Sequence, residues 1–130
     1  MLAHEVLRRA AEIIKETGWS AGSSARDING APIPLWHGDV RAGIHPAAVS
    51  LSIYGAIAKV LATEPCPNVA LIWKSLESLS DRPDVVVRGG TNHLHPVMAF
   101  NDAPGRTESE VLALIEAAAV LCEQATEKRA

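Results

Sequence analysis

The stretch Pro46-Ala47-Ala48-Val49-Ser50-Leu51-Ser52-Ile53-Tyr54-Gly55-Ala56-Ile57-Ala58-Lys59-Val60-Leu61-Ala62 decides the fold class. Wound as a helix, it places Val49, Leu51, Ile53, Tyr54, Ile57, Val60 and Leu61 around most of its circumference. A helix apolar nearly all round belongs in a core, and proline suits a helical first turn. The spacing predicts a central helix from Pro46 to about Ala62. The rest of the chain is then expected to pack around it.

Three flanking segments have the one-sided pattern of helices that cover such a core. From Leu2 to Thr17, Leu2, Val6, Ala10, Ile13, Ile14 and Thr17 share one face, and Glu5, Arg8, Arg9, Glu12, Lys15 and Glu16 fill the other. Gly18 then suits the left-handed position that commonly closes a helix. Pro65 and Pro67 separate the central helix from a third, about Asn68 to Ser80, with Val69, Ile72, Trp73, Leu76 and Leu79 as its stripe. A last helix is predicted from Glu108 to Glu127, with Val111, Leu114, Ile115, Ala118, Leu121, Cys122 and Ala125 inward. Thr107 and Glu110 have the spacing of a capping box.

Asn29-Gly30 is a hairpin signal, because a type I′ turn needs positive φ at both central residues. With those two residues as the turn, Ile28 pairs with Ala31, Asp27 with Pro32, Arg26 with Ile33 and Ala25 with Pro34. Both prolines then fall where an N–H would point away from the partner strand. Arg26, Ile28, Ala31, Ile33 and Leu35 share one face. From Arg82 to Arg106 the chain turns to Pro, Gly, Asn and His and is read as irregular, with Val85-Val86-Val87 its strand-like run. The expectation is a mainly α, single-domain chain over residues 1–130. It comprises a compact four-helix domain, one short β-hairpin at about residues 23–35 and an irregular segment before the last helix.

Composition narrows function by exclusion. The 130 residues carry 12 basic and 15 acidic side chains, a net charge of −3. The adjacent basic pairs, Arg8-Arg9 and Lys128-Arg129, make no patch, so the electrostatic footprint of a nucleic-acid binder is missing. The N-terminus lacks a charged region followed by an apolar run, so no signal peptide is expected. The most apolar stretch is shorter than a membrane span. Two cysteines, Cys66 and Cys122, suggest neither a disulfide framework nor a four-ligand zinc site. A soluble, cytoplasmic protein is expected, with no membrane contact.

Polar residues are grouped most closely in Asn101-Asp102-Ala103-Pro104-Gly105-Arg106-Thr107. Pro104-Gly105 suits the centre of a type II turn, which would hold Asp102 and Arg106 beside a helix N-terminus that favours an anion. The competing reading is local, with Asn101 and Asp102 stabilising the turn and Thr107 capping the helix. It is preferred, since these residue types dominate turns for local reasons. Arg26, on the hairpin's apolar face, needs a carboxylate or a route to solvent. Asp102 is its expected partner, because Asp27 faces the other way. The candidate polar site is therefore Arg26, Asp27, Asn101, Asp102 and Arg106, with structural docking as its favoured role.

Five histidines, His4, His37, His45, His93 and His95, raise the question of a metal. His93 and His95 would share one side of a strand, yet no H-E-x-x-H or paired C-x-x-C accompanies them. No metal is expected. Gly89-Gly90-Thr91 lacks the context of a nucleotide loop, and Ser23-Ser24 sits in no nucleophile elbow. No cofactor is expected either.

Gly18-Trp19, then Ala25-Arg26-Asp27-Ile28-Asn29-Gly30, then Asn101 to Thr107 before the closing helix together resemble a family of small uncharacterised bacterial and phage proteins. Tyr54-Gly55-Ala56-Ile57 is similar to that family's Gly-Ala helix. The resemblance implies a helical domain of unknown function with Arg-Asp and Asn-Asp motifs as its characteristic polar residues. The sequence departs from the pattern around Asp81 to His95, which reads as an insertion, and before Tyr54, where the pattern has a Trp-Cys pair.

These readings lead to a non-enzymatic binding or accessory protein acting through a protein partner. The alternative is a small enzyme or ligand-binding domain that uses Arg26, Asp102 and Arg106 on an anionic small molecule. A His-dependent metal protein is the weaker third reading.

Overall fold

The alternation of Val6, Leu7, Ala10, Ile13 and Ile14 buries one face of a helix α1 that runs Ala3–Thr17 in the computed structural model, which describes residues 1–21, 25–32, 48–80 and 96–129. Leu7 joins the buried face, whereas Leu2 remains exposed. Among the described residues there follow strands β1 (Ala25–Arg26) and β2 (Ser50–Leu51), then helices α2 (Ile53–Leu61), α3 (Val69–Leu79), α4 (Pro96–Asp102) and α5 (Glu108–Arg129). Helix α1 packs on α5 and α2, and α3 packs on α5. The shared core includes Leu7, Ile14, Leu51, Ile57, Ile72, Leu76 and Ile115.

The mainly helical expectation is met, with five helices rather than four among the described residues. Helix α4 falls inside the segment read as irregular. Its seven residues are too few for a visible period, although Val97 and Phe100 form its buried side and Pro96 opens it. Asn101 and Asp102 therefore sit in the last turn of a helix, not in the loop before α5. The following turn is as expected: Arg106 N–H donates to Ala103 O at 3.1 Å and Gly105 has a φ of 79°. The capping box also forms, with Thr107 N–H donating to Glu110 Oε1 at 3.0 Å and Glu110 N–H to Thr107 Oγ1 at 3.3 Å.

The central helix begins at Ile53, so its predicted start at Pro46 is corrected; Pro46 and Ala47 lie outside the described residues. Tertiary pairing overrides the helical period before Ser52. Leu51 N–H donates to Gly18 O at 2.9 Å, Ser20 N–H to Leu51 O at 3.0 Å, and Val49 N–H to Arg26 O at 2.9 Å. Leu51 thus lies between the segment after α1, in a parallel bridge with Trp19, and β1, its antiparallel partner. Ser52 then caps α2 through Gly55 N–H, at 3.0 Å. Gly18 is fixed at this junction by its φ of 119°, and a Cβ there would lie 3.3 Å from Val49 O.

The turn after β1 differs from expectation by one residue. Arg26, not Asp27, bridges to Pro32, and Asp27 N–H donates to Ala31 O at 2.9 Å. The loop has three residues, Ile28-Asn29-Gly30, closed by Gly30 N–H donating to Asp27 O at 2.9 Å, with Gly30 at a φ of 78°. The cause is Asp27, whose Oδ1 accepts from Asn29 N–H at 2.9 Å and Ala31 N–H at 3.0 Å. An aspartate bonding ahead to its own backbone selects this turn over the two-residue one. The ladder partner of β1 is β2, while Ile33, Pro34 and Leu35 lie outside the described residues. Ile28 is left 84% exposed instead of facing the core.

Candidate functional site

Asn101 is the centre of the polar residues that the fold brings together. Its Oδ1 accepts from Trp19 Nε1–H at 2.9 Å and from Ile53 N–H at 3.1 Å. Its Nδ2 donates to Ser20 O at 3.1 Å and to Asp102 Oδ1 at 2.8 Å. Both neighbours of Oδ1 can only donate, so the orientation of the amide is dictated by its surroundings. Two acceptor positions and two donors are all used, which is the full capacity of an asparagine. The residue is wholly buried and joins the segment after α1, the start of α2 and the end of α4.

Asp102 is equally buried and receives the Asn101 amide. Arg26 does not reach it. The guanidinium instead donates through Nε and Nη2 to Ala21 O, at 3.2 and 2.7 Å, and through Nη1 to Gly30 O at 2.9 Å. The expected Arg26–Asp102 pair is therefore corrected, because Arg26 is held by backbone carbonyls on both sides of its own turn. Asp27 braces the same turn from within.

Arg106 lies against α4 and α5. Its Nε donates to Phe100 O at 2.8 Å, its guanidinium carbon sits 3.6 Å above the Phe100 ring centre, and Nη1 pairs with Glu110 at 3.0 Å. Glu110 occupies the N-terminal end of α5 that the sequence offered to an anion. The Thr107 backbone N–H, then the Thr107 hydroxyl and the Arg106 charge, hold the Glu110 carboxyl below the usual carboxylate range.

The five candidate residues thus form three separate arrangements: Asn101 with Asp102, Arg26 and Asp27 around the exposed turn, and Arg106 at the start of α5. Trp19, Ser20 and the Ile53 amide complete the first of these, and no local pattern points to them. Gly18-Trp19 carries part of the family resemblance but no spacing that ties Trp19 to Asn101. The Ser20 hydroxyl, buried beside this cluster, makes no hydrogen bond. His37, His45, His93 and His95 lie outside the described residues, as do Ser23-Ser24 and Gly89-Gly90-Thr91. Among the described residues no group of three or more His, Cys, Asp or Glu is placed to hold a metal ion, and no helix is long and apolar enough to cross a membrane.

The chain belongs to a family of unknown function, DUF6197, whose family model matches residues 1–121. No curated protein and no solved structure matches it.

Proposed function

We propose that this member of the family is a non-enzymatic binding or accessory protein that acts through a protein partner. The observation that carries this reading is the complete internal use of the Asn101 amide, which spends all four of its hydrogen-bonding positions on the fold. A group that binds or transforms a ligand must keep polar capacity for it, and this one keeps none. Arg26, at the neighbouring turn, is committed to two carbonyls of its own chain. Supporting the partner reading, Ile28 projects at 84% exposure from a turn braced by Asp27 and Arg26. A turn whose backbone is already braced loses little freedom when a partner covers it.

Chemical cross-linking in the native cells, followed by reconstitution from purified components, tests the reading. A defined protein should bind the purified chain saturably, and Ile28→Asp should weaken that complex while melting like the parent. Recovery of no protein that rebinds, together with turnover of an anionic metabolite, or stabilisation by one that is lost in Arg26→Gln or Arg106→Gln but kept in Lys59→Gln, would favour the enzyme or ligand-binding alternative.

A further inference from the structure

A cleft of about 420 Å³ opens between α1 and the end of α2, away from Asn101. Its lining is Met1, Arg9, Ile13, Lys59, Val60, Thr63 and Glu64. Arg9 and Ile13 are one turn apart on α1, and Lys59 and Thr63 one turn apart at the end of α2, so each helix contributes one face. Ile13 and Val60 form an apolar floor, only 7% and 2% exposed. The size is that of small-molecule sites, which combine such floors with a few polar groups.

The rim supplies the polar groups. Arg9 gives one N–H bond, from Nη1 to Glu12 Oε2 at 2.9 Å, of the five N–H groups a guanidinium carries. The Lys59 ammonium makes no hydrogen bond or ion pair with any described residue. The Val60 carbonyl at the end of α2 does not require it, since it already accepts from Thr63 N–H, Glu64 N–H and the Thr63 hydroxyl, at 3.1, 2.9 and 3.3 Å. Three cations thus stand at the rim, Arg9, Lys59 and the N-terminal ammonium of Met1, which donates to Pro65 O at 2.7 Å, against two carboxylates, Glu64 and the Glu12 that pairs with Arg9. That balance suits a single negative charge, while Glu64 disfavours a more highly charged head group.

We propose that this cleft is a binding site for a small monoanionic amphiphile, a carboxylate or sulfonate joined to an apolar body. The apolar body rests on Ile13 and Val60, and the anionic group is held by Lys59 and Arg9. The site stands independently of the partner reading, since it shares no residue with the Asn101 cluster or the Ile28 turn.

Titration with 8-anilinonaphthalene-1-sulfonate tests it, with uncharged N-phenyl-1-naphthylamine as the comparison probe. The sulfonate should bind saturably, be displaced by octanoate, and shift the amide resonances of Arg9, Ile13, Val60 and Thr63. Lys59→Gln should weaken it about tenfold and Arg9→Gln several-fold, as expected for loss of a charge-assisted contact. Lys74→Gln, on the exposed side of α3, should leave it unchanged. The proposal is overturned by non-saturable fluorescence, by equal losses in Lys74→Gln and Lys59→Gln, or by resonance shifts elsewhere. It is also overturned if the uncharged probe binds as tightly as the sulfonate.

Discussion

The indole N–H of Trp19 donates to the side-chain oxygen of Asn101 across 82 positions of sequence, at 2.9 Å. The same oxygen takes the amide of Ile53, at 3.1 Å, so one buried atom fixes where the chain leaves α1 and where α2 starts. Removing it strands the buried Ile53 N–H and takes a partner from the half-buried Trp19 indole, and an unsatisfied buried group costs more than a lost bond is worth.

Asn101→Ala should therefore destabilise the protein by about 3 kcal/mol or more, as several partners lose their bonds together. Trp19→Phe removes only one donor and should cost about 1–2 kcal/mol. Urea unfolding of both variants measures the difference. Equal, small losses would mean that the cluster is solvated and not structural.

Arg26 and Asp102 should behave independently. Their charged groups serve different partners, so a double-mutant cycle between Arg26→Ala and Asp102→Ala should give coupling below about 0.5 kcal/mol. Coupling well above that would return the two residues to one ion pair.

The three-residue turn makes a contrast between neighbours. Gly30→Val should cost about 1–2 kcal/mol, because a β-branched residue must adopt positive φ, although a Cβ there meets nothing within 4 Å. Asn29→Ala should be nearly neutral, since its exposed side chain makes no hydrogen bond. Thermal melts of the pair decide between this turn and a two-residue turn, in which both changes would be harmful.

Acid should reveal the capping box. The Glu110 carboxyl is held below its ordinary range, chiefly by the Thr107 backbone N–H. A group depressed in the folded state adds stability above its unfolded pKa, about 4.3 for glutamate, and loses it as the pH falls through the folded value. The stability gap between the parent and Glu110→Gln should thus be constant near neutrality and close below about pH 4. A gap unchanged down to the acid transition would place the contribution of Glu110 elsewhere.

The thiols should differ in reactivity. Burial pushes the Cys122 thiol up, against a Ser75 hydroxyl contact that lowers it, while Cys66 is half-buried. At pH 8 a thiol-disulfide reagent should label Cys66 first, with Cys122 following on the timescale of opening. Equal rates would show that α5 exposes Cys122 readily.

The sequence by itself determined the elements whose cause is local. The apolar stripe of α1, the Thr107–Glu110 box and the Ala103–Arg106 turn depend on residues within a few positions of one another, and each stands where the pattern puts it, save that Leu7 replaces Leu2 on the buried face of α1. The tertiary structure alone decided the rest. Residues before Ile53 have a helical period, yet Leu51 is drawn into strand pairing because Gly18, Ser20 and β1 offer it backbone partners. Helix α4 is too short to leave a period. Arg26 could be read only as needing an acceptor, and the nearer carbonyls of Ala21 and Gly30 supply it before Asp102 can. Asn101 looks like any turn asparagine in sequence; its four partners come from distant segments as well as from Asp102, and only packing brings the distant ones to a single buried amide.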